Sequence, residues 1–315
     1  MDKLKPLDLK GIQTYSLSGR HSKVSWRDFA RPWEKGGSYK EFVARLPRLL
    51  AGSAFREVAA AWVKARQHGR QVVLGLGAHP IKVGLSPIII DLLKRGLLTG
   101  VALNGAGIIH DAELAMGGCT SEDVEQELGC GRFGMAQETA EFLNSAIAWG
   151  AGQGLGLGEA VGRRLLAAAF PHQDLSLVAA AAALGVPLTV HVAVGTDIIH
   201  LHPSLDPAAL GAATHLDFRL FAALVSRLAH GVFINLGSAV IIPEVFLKAL
   251  TLARNLGHEV TPLTTVNLDF IQHYRPLTNV VRRPTAGTGQ GYALTGHHEL
   301  LFPMLAALVL EEMEA

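Results

Sequence analysis

From residue 71 to its end the chain repeats one pattern: a short β-branched apolar run, a glycine-bearing turn, then an apolar stretch with helical spacing. Such a strand, loop, helix, strand unit is the signature of a parallel sheet. Parallel neighbours need a crossover, so strand, turn and helix must follow one another in a right-handed sense. The pattern predicts an α/β protein with a doubly wound, mainly parallel, Rossmann-like sheet and helices on both faces.

Residues 71–76 read as the first strand, and 86–95 as a helix closed by Gly96. Residues 98–103 read as the next strand, leading into the glycine loop Asn104-Gly105-Ala106-Gly107. Helices are expected at 136–150, 159–169, 175–184, 218–229 and 299–314, and strands at 187–194, 233–236, 259–266 and 291–294. The glycine-rich stretch 151–158 follows a helix rather than a strand, so it reads as a connector and not a phosphate loop. Residues 1–60 are expected to form an N-terminal arm and a helix packed on the core, and 61–315 a single dinucleotide-binding-like domain.

Lysines and arginines number 28 against 27 aspartates and glutamates, so no excess of charge attracts a nucleic acid. A small-molecule ligand is the expected partner. Cys119 and Cys130 are too few for a disulfide framework, which points to a cytoplasmic compartment. No stretch reaches the ~20 uninterrupted apolar residues of a membrane span, so no membrane partner is expected.

Five segments follow the expected strands and carry glycine or polar residues: 77–84, 104–111, 195–202, 235–239 and 267–275. A doubly wound sheet brings such segments to one edge, where ligands bind. Asp197 and Asp269, at strand ends, can accept hydrogen bonds from ribose hydroxyls or cap their own loops. Lys82, inside the first loop, can pair with a phosphate or, if desolvated, act as an amine nucleophile.

The segments LGLGAHPIKVGLSPIIIDLLKRG and ALNGAGIIHD resemble the paired segments of the deoxyhypusine synthase family, in which two loops hold NAD. In the same order, GVPLTVHVAVGTD resembles that family's strand ending in Thr-Asp, INLGSAV its glycine loop, TTVNLD its stretch ending in an NAD-contacting aspartate, and LLFPMLAALVLEEM its closing helix. The resemblance covers roughly residues 70–315 and implies NAD as cofactor. It implies a cofactor site at Gly77, Ala78, His79, Asn104, Gly105, Ala106, Thr196, Asp197, Gly237, Ser238 and Asp269, and a homo-oligomer, tetramer or dimer.

The departures bear on the chemistry. Where the family has an imine-forming lysine, this chain reads NVVRRPTAGTG, with Arg282 and Arg283. Arginine keeps its proton and cannot be that nucleophile. The family's amine-binding acid is replaced at about His202, and its catalytic histidine falls near Pro243, so spermidine chemistry is not expected. Histidines stand in the loops instead: His79, His110, His191, His200 and His202. His110, Lys82 and His202 are the candidate catalytic residues.

Three functions follow. The first is an enzyme of this type that binds NAD or a related nucleotide and acts on a different small substrate. The second is a hydrolase or lyase using a divalent metal such as zinc on Asp197, His200 and His202, although an extended 198–202 would turn Asp197 away from the two histidines. The third is a non-catalytic ligand-binding or scaffold protein. His297, His298 and the arginine pair are weaker site candidates.

Overall fold

A computed structural model describes residues 3–313 of the chain. β1 (Val72–Leu76), β2 (Gly100–Asn104), β3 (Leu188–His191), β4 (Val232–Leu236), β5 (Thr264–Asp269) and β6 (Gln290–Thr295) form one sheet in the order β3-β2-β1-β4-β5-β6. Every pairing is parallel. The order reverses between β1 and β4, the kind of switch point at whose carboxyl edge such sheets hold ligands.

The helices are α1 (Tyr39–Arg45), α2 (Leu50–Gln67), α3 (His79–Lys82), α4 (Ser86–Lys94), α5 (Gly105–Gly117), α6 (Val124–Leu128) and α7 (Gln137–Gly152), followed by α8 (Leu157–Ala168), α9 (Leu177–Leu184), α10 (Pro207–Val225), α11 (Ile241–Asn255), α12 (Tyr274–Pro276) and α13 (His298–Met313). They cover both faces of the sheet. Val72, Leu74 and Leu76 of β1 join a core with Trp62 of α2, Ile89 of α4, Ile108 of α5 and Phe302 of α13. Val73 points the other way, into a second core with Phe221 of α10 and Phe246 of α11. That alternation along one wholly apolar strand shows why the run cannot be half-exposed. Gly75 lets α11 approach, since a Cβ there would stand 2.5 Å from Ile242 Cγ2.

The arm before α1 holds only short 3-10 turns, and its Leu4, Leu7, Leu9, Ile12, Tyr15 and Trp26 are exposed. α2 runs without a break across residue 60, where the sequence divides arm from domain, and buries Phe55, Val58 and Trp62. Trp62 Nε1 donates to the Leu97 carbonyl at 2.8 Å, tying α2 to the turn before β2.

Several expected elements shift. The strand expected at 259–266 begins only at Thr264, because Pro262 has no N–H to give a ladder. The strand expected through residue 194 stops at His191. The helix expected at 218–229 starts at Pro207, behind an Asp206 cap whose Oδ1 accepts from the N–H groups of Ala208 and Ala209, and it ends at Val225. α11 has no counterpart among the helices expected from sequence. The closing helix expected to reach Glu314 is described to Met313, and Glu314 lies outside the described residues.

Candidate functional site

All six strands point their carboxyl ends to one edge, and the backbone there is packed closely. The Gly77 N–H donates to Leu236 O at 3.1 Å, the Gly237 N–H to Leu268 O at 3.1 Å, and the Gly296 N–H to Asp269 O at 3.1 Å. These bonds extend the ladder past the strands. A Cβ on Gly77 would stand 2.6 Å from the Gly237 carbonyl oxygen, so the two glycine loops meet where the strand order reverses.

On the β1, β2 and β3 side of this meeting point lies a cavity of about 230 Å³, lined by Lys82 from α3, Ala106, His110 and Glu113 from α5, and Thr196 and Asp197 from the loop after β3. Asp197 is buried, and burial pushes its carboxyl pKa up, against His200 and the hydrogen bonds from Ala193 and Thr196. Its carboxylate lies on the first residue of α5: a Cβ on Gly105 would stand 2.0 Å from Asp197 Oδ2. The Asn104 side chain caps the same helix, accepting from the Gly107 N–H at 2.9 Å. A carboxylate on α5 does not leave that end for a phosphate, but it suits hydroxyl donors.

His110 is held by a short chain of hydrogen bonds. Thr120 Oγ1 donates to Glu113 Oε2 at 2.5 Å and lies 2.6 Å from His110 Nδ1. A hydroxyl has one proton and the carboxylate takes it, so His110 must donate from Nδ1, and in the neutral ring the lone pair lies on Nε2. Burial works to raise the Glu113 pKa, but hydrogen bonds involving His110, Thr120 and Thr139 outweigh it and hold the carboxyl below its ordinary value.

On the β4, β5 and β6 side the edge is filled by side chains. His298, the first residue of α13, is 1% exposed and its Nδ1 lies 2.9 Å from His79 Nδ1. Its Nε2 has no hydrogen-bond partner and lies 3.4 Å from Asp269 Oδ1. Asp269 is 4% exposed, turned towards His298 rather than into the cavity. The left-handed Gly237, at φ +66°, leaves room for the His298 ring, whose Cε1 would be 2.7 Å from a Cβ there.

The structure thus gathers Lys82, Ala106, His110, Thr196 and Asp197 around one cavity, and places Gly77, His79, Gly237 and Asp269 beside it across β1. Ala78 caps α3, and Ser238 is buried with its Oγ accepting from the Ile242 N–H at the start of α11. His202 does not line the cavity; its Nδ1 lies 2.7 Å from Ser204 Oγ. Residues 198–201 form a 3-10 turn rather than the extended segment considered from sequence. His200 Nδ1 there accepts from the Gly195 N–H at 3.2 Å. Among the described residues no three His, Cys, Asp or Glu side chains are grouped to hold a metal ion, and Asp197, His200 and His202 are each engaged separately.

Arg282 and Arg283 end a π-helical stretch after α12 and do not line the cavity; Arg283 Nη1 donates to Asn279 Oδ1 at 2.8 Å. His191 is buried against Phe221, and burial pushes its pKa down to about 4. A second hollow, of about 290 Å³, lies at the opposite edge beside Lys64, His68, Arg70 and His230, and no carboxylate lines it.

Sequence reasoning missed Glu113, Thr120 and Thr139. Glu113 stands three residues after His110 on α5, a spacing that places both on one helix face. It also undervalued His298, because the turn after β6 was not counted with the five other strand-end loops.

No family model matches the chain, and no curated protein matches it in sequence. Solved structures share its fold. The ternary complex of AgrE with ornithine and NAD+ superposes with a TM-score of 0.57 at 12% identity, over 84% of this chain and 34% of AgrE. The chain thus spans about a third of AgrE. A conserved protein from Methanococcus maripaludis S2 assigned as LOR/SDH gives 0.52 at 12% identity, over 93% of this chain and 76% of that one. A protein from Entamoeba histolytica assigned as a deoxyhypusine synthase gives 0.50 at 14% identity, over 90% and 96%. With its single six-stranded parallel sheet in the order β3-β2-β1-β4-β5-β6, the chain has the deoxyhypusine-synthase-like fold.

Proposed function

We propose that the chain is a deoxyhypusine-synthase-like enzyme that binds NAD or a related nucleotide at the carboxyl edge of its sheet and acts on a small substrate other than spermidine. The observation that carries this reading is the position of Asp197: a buried carboxylate against the first residue of α5, in the same cavity as Lys82, Thr196 and His110. A strand-end carboxylate accepts hydrogen bonds from ribose hydroxyls. The exposed Lys82 ammonium pairs with a phosphate as a point charge. At about 230 Å³ the cavity is smaller than the ~300–1,000 Å³ of typical ligand sites, so it suits one nucleoside-sized half of a dinucleotide.

Bound nicotinamide would supply hydride acceptance. The chain's own part is to bind, orient and move protons. His110, fixed by Thr120 and Glu113, offers its Nε2 lone pair to take a proton from a bound substrate. The exposed Arg282 and Arg283 cannot form an imine, which sets this site apart from aminobutyl transfer. Glu113, Glu122 and Asp197 around the cavity favour a substrate carrying an ammonium group, and AgrE, which shares the fold, was solved with ornithine and NAD+. An amino acid with a side-chain amine is the first substrate class to test.

The exposed apolar residues of the arm support assembly into a dimer or tetramer. Calorimetric titration with NAD and NADH tests the nucleotide reading: saturable binding is expected, and no heat at millimolar nucleotide refutes it.

A further inference from the structure

Asp269, His298 and His79 come from the end of β5, the start of α13 and the start of α3, and His298 stands between the other two. Asp269 and His298 are buried, at 4% and 1% exposed, while His79 faces solvent. His298 Nδ1 lies 2.9 Å from His79 Nδ1, and its Nε2 lies 3.4 Å from Asp269 Oδ1. Phe270 flanks both imidazoles, with ring centroids 5.7 Å from His79 and 5.5 Å from His298.

When both rings are neutral, imidazoles joined through Nδ1 share a single proton, and either can be the donor. If His298 donates, its Nε2 carries a bare lone pair, buried and facing the Asp269 carboxylate, and the two repel. If His298 instead holds its proton on Nε2, that N–H lies near the carboxylate, in electrostatic contact at 3.4 Å though not in hydrogen-bond geometry, and Nδ1 becomes the acceptor. His79 must then donate from Nδ1, which leaves the lone pair of its Nε2 free.

We propose that Asp269, His298 and His79 form a relay that fixes His79 as its Nδ1–H tautomer and presents Nε2 as a proton acceptor where β1 meets β4, for a ligand bearing an ammonium or a hydroxyl. When the ligand's N–H or O–H bond breaks, its proton forms the new Nε2–H bond and its electron pair stays on the ligand. The positive charge passes inward as the His79 Nδ1 proton moves to His298 Nδ1, and the resulting imidazolium faces Asp269. His79 is the group that meets the ligand; His298 and Asp269 are positioning residues.

Burial pushes the His79 pKa down, helped by His298 and Lys82 and opposed by Glu299 and Asp269. The ring is therefore neutral, and its lone pair available, around pH 7. Gly237 completes the arrangement, since the His298 ring occupies the space a side chain there would take. This relay goes beyond the nucleotide reading, and its test contains no nucleotide, so either can fail alone.

The test is nitrogen NMR of the full chain labelled with 15N-histidine at neutral pH, with diethyl pyrocarbonate as a chemical probe. In the wild type, His79 should be neutral with its proton on Nδ1, and the reagent should acylate Nε2. In Asp269→Leu the His79 proton should shift towards Nε2, and acylation at that nitrogen should slow several-fold. A His79 carrying its proton on Nε2 in the wild type overturns the proposal, and so does an unchanged tautomer and rate in the variant. If the variant does not fold, the wild-type tautomer decides alone.

Discussion

The Asp197 carboxylate sits against the α-carbon of Gly105, with Oδ2 2.0 Å from where a Cβ would stand. Nothing bulkier than glycine fits at the start of α5 without moving Asp197. Gly105→Ala should therefore destabilise the fold by about 1–3 kcal/mol, the usual cost of overpacking, despite alanine's better helix propensity. Urea denaturation checks this, and nucleotide affinity should fall with it as Asp197 is displaced.

Asp197→Ala separates binding from stability. Burial raises the Asp197 pKa, so its charge is held at a cost, and removing it should alter stability less than it alters nucleotide affinity. If the carboxylate accepts ribose hydroxyls, NAD affinity should drop about tenfold or more, matching the ~1.5–3 kcal/mol of hydrogen bonds to a charged group. Calorimetry and thermal melts on one preparation read both effects.

Asp217 should give the fold a pH dependence of its own. Its Oδ2 accepts from the N–H groups of Gly158 at 2.9 Å and Val190 at 2.7 Å, tying α8 and β3 to α10, while Oδ1 has no partner. Burial pushes its pKa up from 3.8 to about 7, against those hydrogen bonds. Between these values the folded chain keeps a proton that the unfolded chain has released. The stabilisation is full below the unfolded value and is lost as pH rises through the folded one. Asp217→Asn, which keeps an acceptor and cannot ionise, should gain stability relative to the wild type as pH rises from about 4 to about 7. Denaturant melts across that range measure it; a constant difference would contradict the assignment.

Most of the sheet was legible in the sequence because its strands are short β-rich runs, wholly buried as in β1, with turns and helical periods between them; β6, largely exposed, leaves a weaker mark. α11 escaped because Ile241, Ile242 and Pro243 open it directly after a glycine loop, so that its start reads as more loop. The cluster of Lys82, Ala106, His110, Thr196 and Asp197 was readable because parallel strands send their following loops to one edge. The His79 and His298 contact was not readable, since the two residues are 219 positions apart and no spacing rule joins them. Asp269 stands at the strand end expected of it, yet its side chain turns to His298, a choice made by tertiary packing.

The arm offers a test of assembly. Leu4, Leu7, Leu9, Ile12 and Tyr15 are exposed along an extended segment, where apolar side chains gain little unless a second surface covers them. Light scattering should report a dimer or tetramer for the full chain and a smaller mass for a variant lacking residues 3–24. A monomeric full chain would contradict the proposal.

The most direct measurement is an experimental density map of the full chain in millimolar NAD. Nucleotide density is expected at the carboxyl ends of β1, β2 and β3, with ribose hydroxyls within hydrogen-bond distance of Asp197 and a phosphate near Lys82. A well-ordered map without nucleotide at that edge, or with nucleotide bound elsewhere, would contradict the nucleotide reading.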